Sequence, residues 1–115
     1  NIIQIMTPAG TGTGFIIGDI IVTNSHVVGG LNEVVISAKK IKRSIAKVIY
    51  DDPYYDIAFI KTELKKPSIP LVLASKNVDD GDSIIAIGHP YGLNYTATEG
   101  IVSRASRLQD DLEYI

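Results

Sequence analysis

Short runs of β-branched residues, separated by Gly, Pro, Asn and Asp, make up most of this chain, and a sustained helical period is hard to find. That pattern favours strands over helices. The first 62 positions predict six strands, at Ile2–Met6, Gly14–Ile17, Ile20–Thr23, Glu33–Ser37, Lys42–Tyr50 and Ile57–Thr62. Because closing a sheet removes its exposed edges, six strands in so short a stretch favour a small closed antiparallel barrel over an open sheet.

Two local patterns add detail to this barrel. Gly18 and Asp19 stand between two apolar runs, which predicts a two-residue hairpin with a positive φ near the glycine. The fifth strand has an alternating pattern that indicates one buried face. The members of that pattern are Ile41, Arg43, Ile45, Lys47 and Ile49.

The rest of the chain begins with a different composition. Leu64–Asp82 contains two prolines and a charged turn around Gly81, which is typical of a connection laid over the surface. Ser83–Gly88 and Tyr95–Arg107 then predict two more strands, and Leu112–Ile115 resembles the start of another. A glycine at position 100 predicts a bulge in the second of these strands.

These patterns together predict an all-β chain. Residues 1–63 would form a complete first barrel of six strands, and residues 64–82 would connect this barrel to the later strands. Residues 83–115 would be the opening strands of an incomplete second barrel, since two or three strands are too few to bury their own face.

Composition narrows the possible functions. With 45% hydrophobic and 21% charged residues the chain is globular in character, and its net charge of −2 gives no general attraction to nucleic acid. It has no cysteine, so disulfides and thiolate chemistry are excluded. No apolar run is long enough to predict a membrane span. These residues open directly into the first predicted strand, and any leader would have been removed before this numbering begins.

His26 and Asp56 are the candidate catalytic residues. His26 comes after an apolar strand, in a polar turn that Asn24 or Ser25 could cap. Asp56 directly precedes the apolar run Ile57–Ile60, where an unpaired carboxylate would be unfavourable. A histidine imidazole is a suitable partner, because a carboxylate bound to Nδ1–H fixes the tautomer and stabilises the imidazolium. We therefore expect the two side chains to approach within hydrogen-bond distance at the barrel mouth.

Three other motifs give weaker indications of a binding site. The alternating glycines at 10, 12 and 14 suggest a phosphate loop, but they lead into a strand rather than a helix whose N-terminus could hold an anion. His89 could join His26 as a metal ligand, yet two histidines without clustered carboxylates make a poor site. The basic run Lys39–Arg43 is typical of a solvated turn. We predict neither a metal nor an organic cofactor.

Five segments, in order along the chain, resemble the HtrA (DegP/DegQ-like) family of trypsin-fold serine proteases. They are Thr11–Ile17, Ile21–Val28, Asp56–Lys61, Ile85–Leu93 and Thr96–Ser103. The resemblance implies a trypsin-like β-barrel fold, with His26 as general base and Asp56 as the acid that orients it. His89 departs from this family, which usually has Asn at that position.

The family's nucleophile lies in a Gly-Asn-Ser-Gly-Gly-Pro segment that is absent from these 115 residues. No serine of the chain has a glycine beside it, as a turn that exposes the hydroxyl would favour. The family's oxyanion-hole amides accompany the same segment. We therefore expect an HtrA-like serine endopeptidase of which this chain holds the base and the orienting acid but no nucleophile, so that the chain alone is inactive.

Two alternatives stay open. One is a non-catalytic trypsin-fold module that binds a peptide or a partner chain, and the other is a fragment whose second half associates in trans. The resemblance also implies protein or peptide substrates, an oligomeric assembly, and a location outside the cytoplasm, periplasmic or membrane-tethered.

Overall fold

Six antiparallel strands close into a barrel, as the sequence predicts. The computed structural model describes residues 2–39, 41–64, 70–88, 96–103, 107–109 and 112–114. The barrel strands are β1 (Ile2–Thr7), β2 (Gly10–Ile17), β3 (Ile20–Thr23), β4 (Glu33–Ala38), β5 (Ile41–Asp52) and β6 (Ile57–Lys61). Their order around the barrel is β1-β2-β3-β6-β5-β4, and β4 pairs with β1 to close it.

The order of the strands determines the path of the chain between β3 and β4. β3 pairs with β6 rather than with β4, so the chain leaves the sheet after β3 and returns on the far side of the barrel. The connection contains α1 (Ser25–Val28), the one helix among the described residues. The predicted hairpin at Gly18 is confirmed, because Gly18 has a φ of 62° between the paired ends of β2 and β3.

The interior of the barrel is filled by alternate residues of its strands. Ile21 and Ile60 are fully buried, and Val28 at the end of α1 is equally inaccessible. The other core residues are Ile3, Ile5, Ile16, Val34, Ile36, Ala46 and Ala58. Since burying one large aliphatic side chain stabilises a fold by about 1.5–3 kcal/mol, this core both holds the barrel and anchors the end of α1.

β5 turns one face to the core, as predicted, but Ile45 and Ile49 are not on that face. Ile45 is 71% exposed and Ile49 is 49% exposed, whereas Ala46 is buried and Val48 is half-buried. Residues two apart share a face of a strand, so Ile45 and Ile49 point outward together. Small Ala46 faces the core instead, and the register against β6 shifts between Val48 and Tyr50.

Beyond the barrel, two pairs of strands are described. β7 (Ser83–Gly88) pairs with β8 (Thr96–Ile101), and β9 (Arg107–Gln109) pairs with β10 (Leu112–Tyr114). The predicted bulge at Gly100 is wrong: this glycine is paired with Ile84 in an unbroken register. Among the described residues no helix has the length and apolar character to cross a bilayer.

Candidate active site

The short helix α1 presents His26 at one end of the barrel. It starts directly after β3 and Asn24, and it ends at Gly29, which has a φ of 60° and donates its N–H to the Ser25 carbonyl. This left-handed C-terminal residue is the common way to end a helix. Val28 is buried in the core while the His26 side chain is 71% exposed, so the helix fixes the ring at the surface.

Asp56 reaches α1 from the turn between β5 and β6. One carboxylate oxygen accepts a hydrogen bond from the backbone N–H of His26 at 2.9 Å, and the other lies 2.7 Å from Nδ1 of the ring. The expected approach of His26 and Asp56 is therefore present. Asp56 itself has a φ of 56°, a left-handed conformation that Asp adopts more readily than most residues.

This contact defines which ring nitrogen carries a proton. The backbone N–H of His26 is the main reason why the pKa of the Asp56 carboxyl lies below its usual value. Desolvation opposes this shift, and the His26 ring and the Ser25 N–H each lower the pKa by a lesser amount. An ionised carboxylate can only accept hydrogen bonds, so Nδ1 must be the donor. In the neutral ring Nε2 then carries the lone pair and can accept a proton.

Two further side chains tie α1 to the β5–β6 hairpin. Asn24 Nδ2 donates to the Asp56 carbonyl at 3.0 Å, and Ser25 Oγ donates to an Asp51 carboxylate oxygen at 2.5 Å. Asn24 occupies the N-cap position, as predicted, but its side chain makes no cap hydrogen bond. The side-chain N–H of Asn24 donates to the Asp56 carbonyl, and the Asp56 carboxylate accepts the backbone N–H of His26.

Strand β2 supports α1 on its other side. A Cβ atom at Gly12 would lie 2.5 Å from Cγ1 of Val27, so only glycine allows this approach of strand and helix. Thr23 Oγ1 donates to the Thr13 carbonyl at 2.9 Å and holds the end of β3 to the same strand. These contacts were not predicted, since the sequence does not show which strand the residue after His26 meets.

A concavity of about 350 Å³ lies beside the histidine ring. It is lined by Thr7, Ala9, Gly10, Thr11, Gly12, Thr13, Asn24, His26 and Val27. Its small side chains leave room for an extended chain or a polar group next to the ring. The geometry thus combines an oriented imidazole with open space, which is what a general base requires.

Among the described residues, the other candidates supply neither a phosphate loop nor a nucleophile. The glycine-rich segment is part of β2 (Gly10–Ile17), a strand as predicted rather than a helix start. Ser25 is buried and bonded to Asp51, which leaves it unsuited to act as a nucleophile. His89 lies outside the described residues, among which no group of three or more His, Asp or Glu side chains could hold a metal ion.

Comparisons with known proteins identify the family of this chain. Residues 12–115 match the family of trypsin-like peptidase domains. A putative serine protease, HhoA, from Synechocystis is 39% identical over 86% of the chain and 26% of its own length. A probable periplasmic serine endoprotease of the DegP type from Hahella chejuensis is 35% identical over 91% of the chain and 23% of its own length.

Solved structures show the same fold. The Rv3671c protease, in its inactive form, superposes with a TM-score of 0.81 at 34% identity, over 92% of this chain and 53% of that one. The HtrA-type protease AlgW gives a TM-score of 0.79 at 28% identity, over 96% of this chain and 38% of its own. The chain spans about a quarter of the length of the Synechocystis and Hahella relatives. It belongs to the trypsin-like peptidase domain family, among the HtrA and DegP-like serine proteases.

Proposed function

We propose that His26 and Asp56 are the general base and the orienting acid of a serine endopeptidase, whose serine lies outside these 115 residues. The observation that carries the proposal is the double contact of Asp56 with His26, at 2.7 Å to the ring and 2.9 Å to the backbone N–H. A side chain held at both its ring and its backbone has little freedom to turn away, so the proton-accepting nitrogen keeps one orientation.

The mechanism depends on that orientation. His26 Nε2 takes the proton of a serine hydroxyl as the serine oxygen attacks a peptide carbonyl, and the ring then returns that proton to the leaving amine. Asp56 stays ionised throughout, since its hydrogen bonds to His26 favour the charged form. Its negative charge stabilises the imidazolium that exists between the two proton transfers.

On this proposal the 115 residues alone do not hydrolyse peptides. Catalysis of about 10³–10⁴ over water survives the loss of triad residues in serine proteases, and it depends on the oxyanion hole and on substrate binding. Those supports accompany the serine segment, which a further part of the protein would supply, either on the same chain or in trans.

The relatives suggest a substrate class and a location for the complete protein. One of them is described as a periplasmic serine endoprotease. We therefore propose protein or peptide substrates and an extracytoplasmic location for the complete protein. Self-association is part of the same proposal, and light scattering of the purified protein tests it.

The proposal is tested with a fluorophosphonate probe, which labels an activated serine. The complete translation product should be labelled, the same product carrying His26→Ala should not, and the 115-residue chain should not. Lys61→Ala is a matched control, because it removes an exposed side chain bonded to Asp19 outside the site. A folded complete product that resists the probe would contradict the proposal and favour the non-catalytic binding module.

A further inference from the structure

The hydrogen bond between Ser25 and Asp51 lies one residue from the proposed base. Ser25 is the first residue of α1 and is only 6% exposed, and its hydroxyl donates to the Asp51 carboxylate near the end of β5. The bond joins parts of the chain that lie 26 positions apart. A buried hydroxyl that reaches across the fold to one carboxylate fixes a distance between two elements.

The helix depends on such contacts because it cannot hold its own position. α1 has four residues, a length at which an isolated helix has no stability in water. Its N-cap side chain bonds to Asp56 rather than to the helix. The orientation of the His26 ring is therefore set by whatever holds α1 to the barrel.

Both carboxylates that touch α1 come from the same hairpin. Asp51 is paired with Ala58 in the β5–β6 ladder, and Asp56 lies in the turn of that hairpin. Asp51 holds Ser25, and Asp56 holds the next residue, His26. A helix attached at one residue can pivot about it, whereas attachment at two successive residues fixes its direction relative to the hairpin.

We propose that Ser25 and Asp51 are positioning residues that keep the His26 ring in register with Asp56. The inference rests on the proposed function of His26, and it assigns Asp51 a role separate from that of Asp56. Asp51 acts through the helix backbone and touches neither substrate nor the reacting atoms.

The two partners should differ in their effects. Replacing Asp51 by Ala leaves a buried hydroxyl of Ser25 without its acceptor, whereas replacing Ser25 by Ala leaves a carboxylate that water can reach. Asp51→Asn retains an oxygen that can accept the bond but removes the charge. The displacement of the His26 ring from Asp56 should therefore be largest in Asp51→Ala, smaller in Ser25→Ala and smallest in Asp51→Asn.

The first readout is the proton between His26 Nδ1 and Asp56, observed as a low-field ¹H NMR resonance together with its exchange with solvent. It needs no nucleophile, so it tests positioning independently of activity. The resonance should broaden or vanish in Asp51→Ala and Ser25→Ala and persist in Asp51→Asn. Asp19→Ala is the matched control, because it removes an exposed carboxylate bonded to Lys61 at the other end of β3, and it should leave the resonance unchanged.

The second readout is the separation of kcat from KM in the complete protein. Misplacing a catalytic group by about 1 Å can lower the rate about 100-fold, so Asp51→Ala should lower kcat by about 10- to 100-fold while KM stays within about 2-fold. Asp51→Asn should recover most of that loss. A variant that is merely less stable would instead lose active protein without this recovery.

The outcomes distinguish the two proposals. A resonance and a kcat that are unchanged in Ser25→Ala and Asp51→Ala would overturn the positioning role. If Asp51→Ala does not fold, Ser25→Ala, which breaks the same bond from the helix side, decides it. Activity that survives His26→Ala would contradict the proposed function, while the NMR result would still decide whether Asp51 positions the ring.

Discussion

The closed barrel and the β7–β8 pair are both built from isoleucine-rich antiparallel strands, yet the barrel has an inner face of buried isoleucines and the described β7–β8 pair has no buried position. Ile21 and Ile60 in the barrel are fully buried, whereas Ile85 and Ile101 in the β7–β8 pair are each 68% exposed. The strands have the same character and the same pairing, so strand formation alone does not create a core. Closure does, because it gives every inward side chain neighbours on all sides.

Both candidate residues are attached to the closed barrel and not to the β7–β8 pair. His26 comes from α1 and Asp56 from the β5–β6 turn, and both are attached to the barrel. Their contact therefore needs nothing from the β7–β8 pair. The exposed isoleucines of that pair, by contrast, need a covering surface before they can contribute to stability.

The comparison is tested most strongly by removing one isoleucine from each region. Ile60→Ala should lower the free energy of unfolding by about 2–5 kcal/mol, since it opens a cavity in a closed core. Ile85→Ala should change it by less than about 0.5 kcal/mol, because its side chain is mostly in water. Urea titration followed by circular dichroism measures both. Equal losses would mean that the β7–β8 pair belongs to the same core.

A second test adds a methyl group to a glycine in each region. Gly12→Ala should lower stability by about 1–3 kcal/mol, because the new Cβ meets the branched side chain of Val27 at 2.5 Å. Gly100→Ala should have little effect or a small stabilising one, since nothing lies within 4 Å of its added Cβ. Thermal unfolding of the two variants compares them. A Gly12→Ala variant as stable as the parent would show that α1 does not rest tightly on β2.

Low pH should lower the free energy of unfolding through Asp56, by less than the two core substitutions above. The pKa of Asp56 is lowered in the fold, so its contribution is fully present above the unfolded value of about 3.9 and is lost as pH falls through the folded value. The carboxylate is 43% exposed, so the loss should stay below about 1 kcal/mol. Urea titrations between pH 6 and pH 2 should show the stability of the parent approaching that of Asp56→Asn. A constant difference over this range would rule out the lowered pKa.

The sequence was sufficient to predict the barrel and the His26–Asp56 contact. Strand periods depend on the local residue pattern. The resemblance indicated His26 and Asp56 as candidate residues without knowledge of the packing around them. The pattern of β5 predicted one buried face without identifying it. Ile45 and Ile49 are apolar residues on the outer surface, and pattern alone does not say which side a strand turns to the core.

The supports of the site could not be predicted for a different reason. The contacts of Asn24 with the Asp56 carbonyl and of Ser25 with Asp51 join residues more than 20 positions apart. Local capping rules predict a bond within the helix, but here a tertiary carboxylate displaced it. The requirement for glycine at position 12 could not be predicted either, because it arises from the tertiary contact with Val27.

The most direct measurement of the proposed dyad is the turnover of the complete protein with Asp56 replaced by Asn. Asn also tolerates a left-handed φ and can still accept the His26 N–H, so the substitution isolates the negative charge and the tautomer it selects. We predict that kcat falls about 10⁴-fold while the fold is retained. A folded Asp56→Asn protein whose kcat stays within about 10-fold of the parent would contradict the dyad.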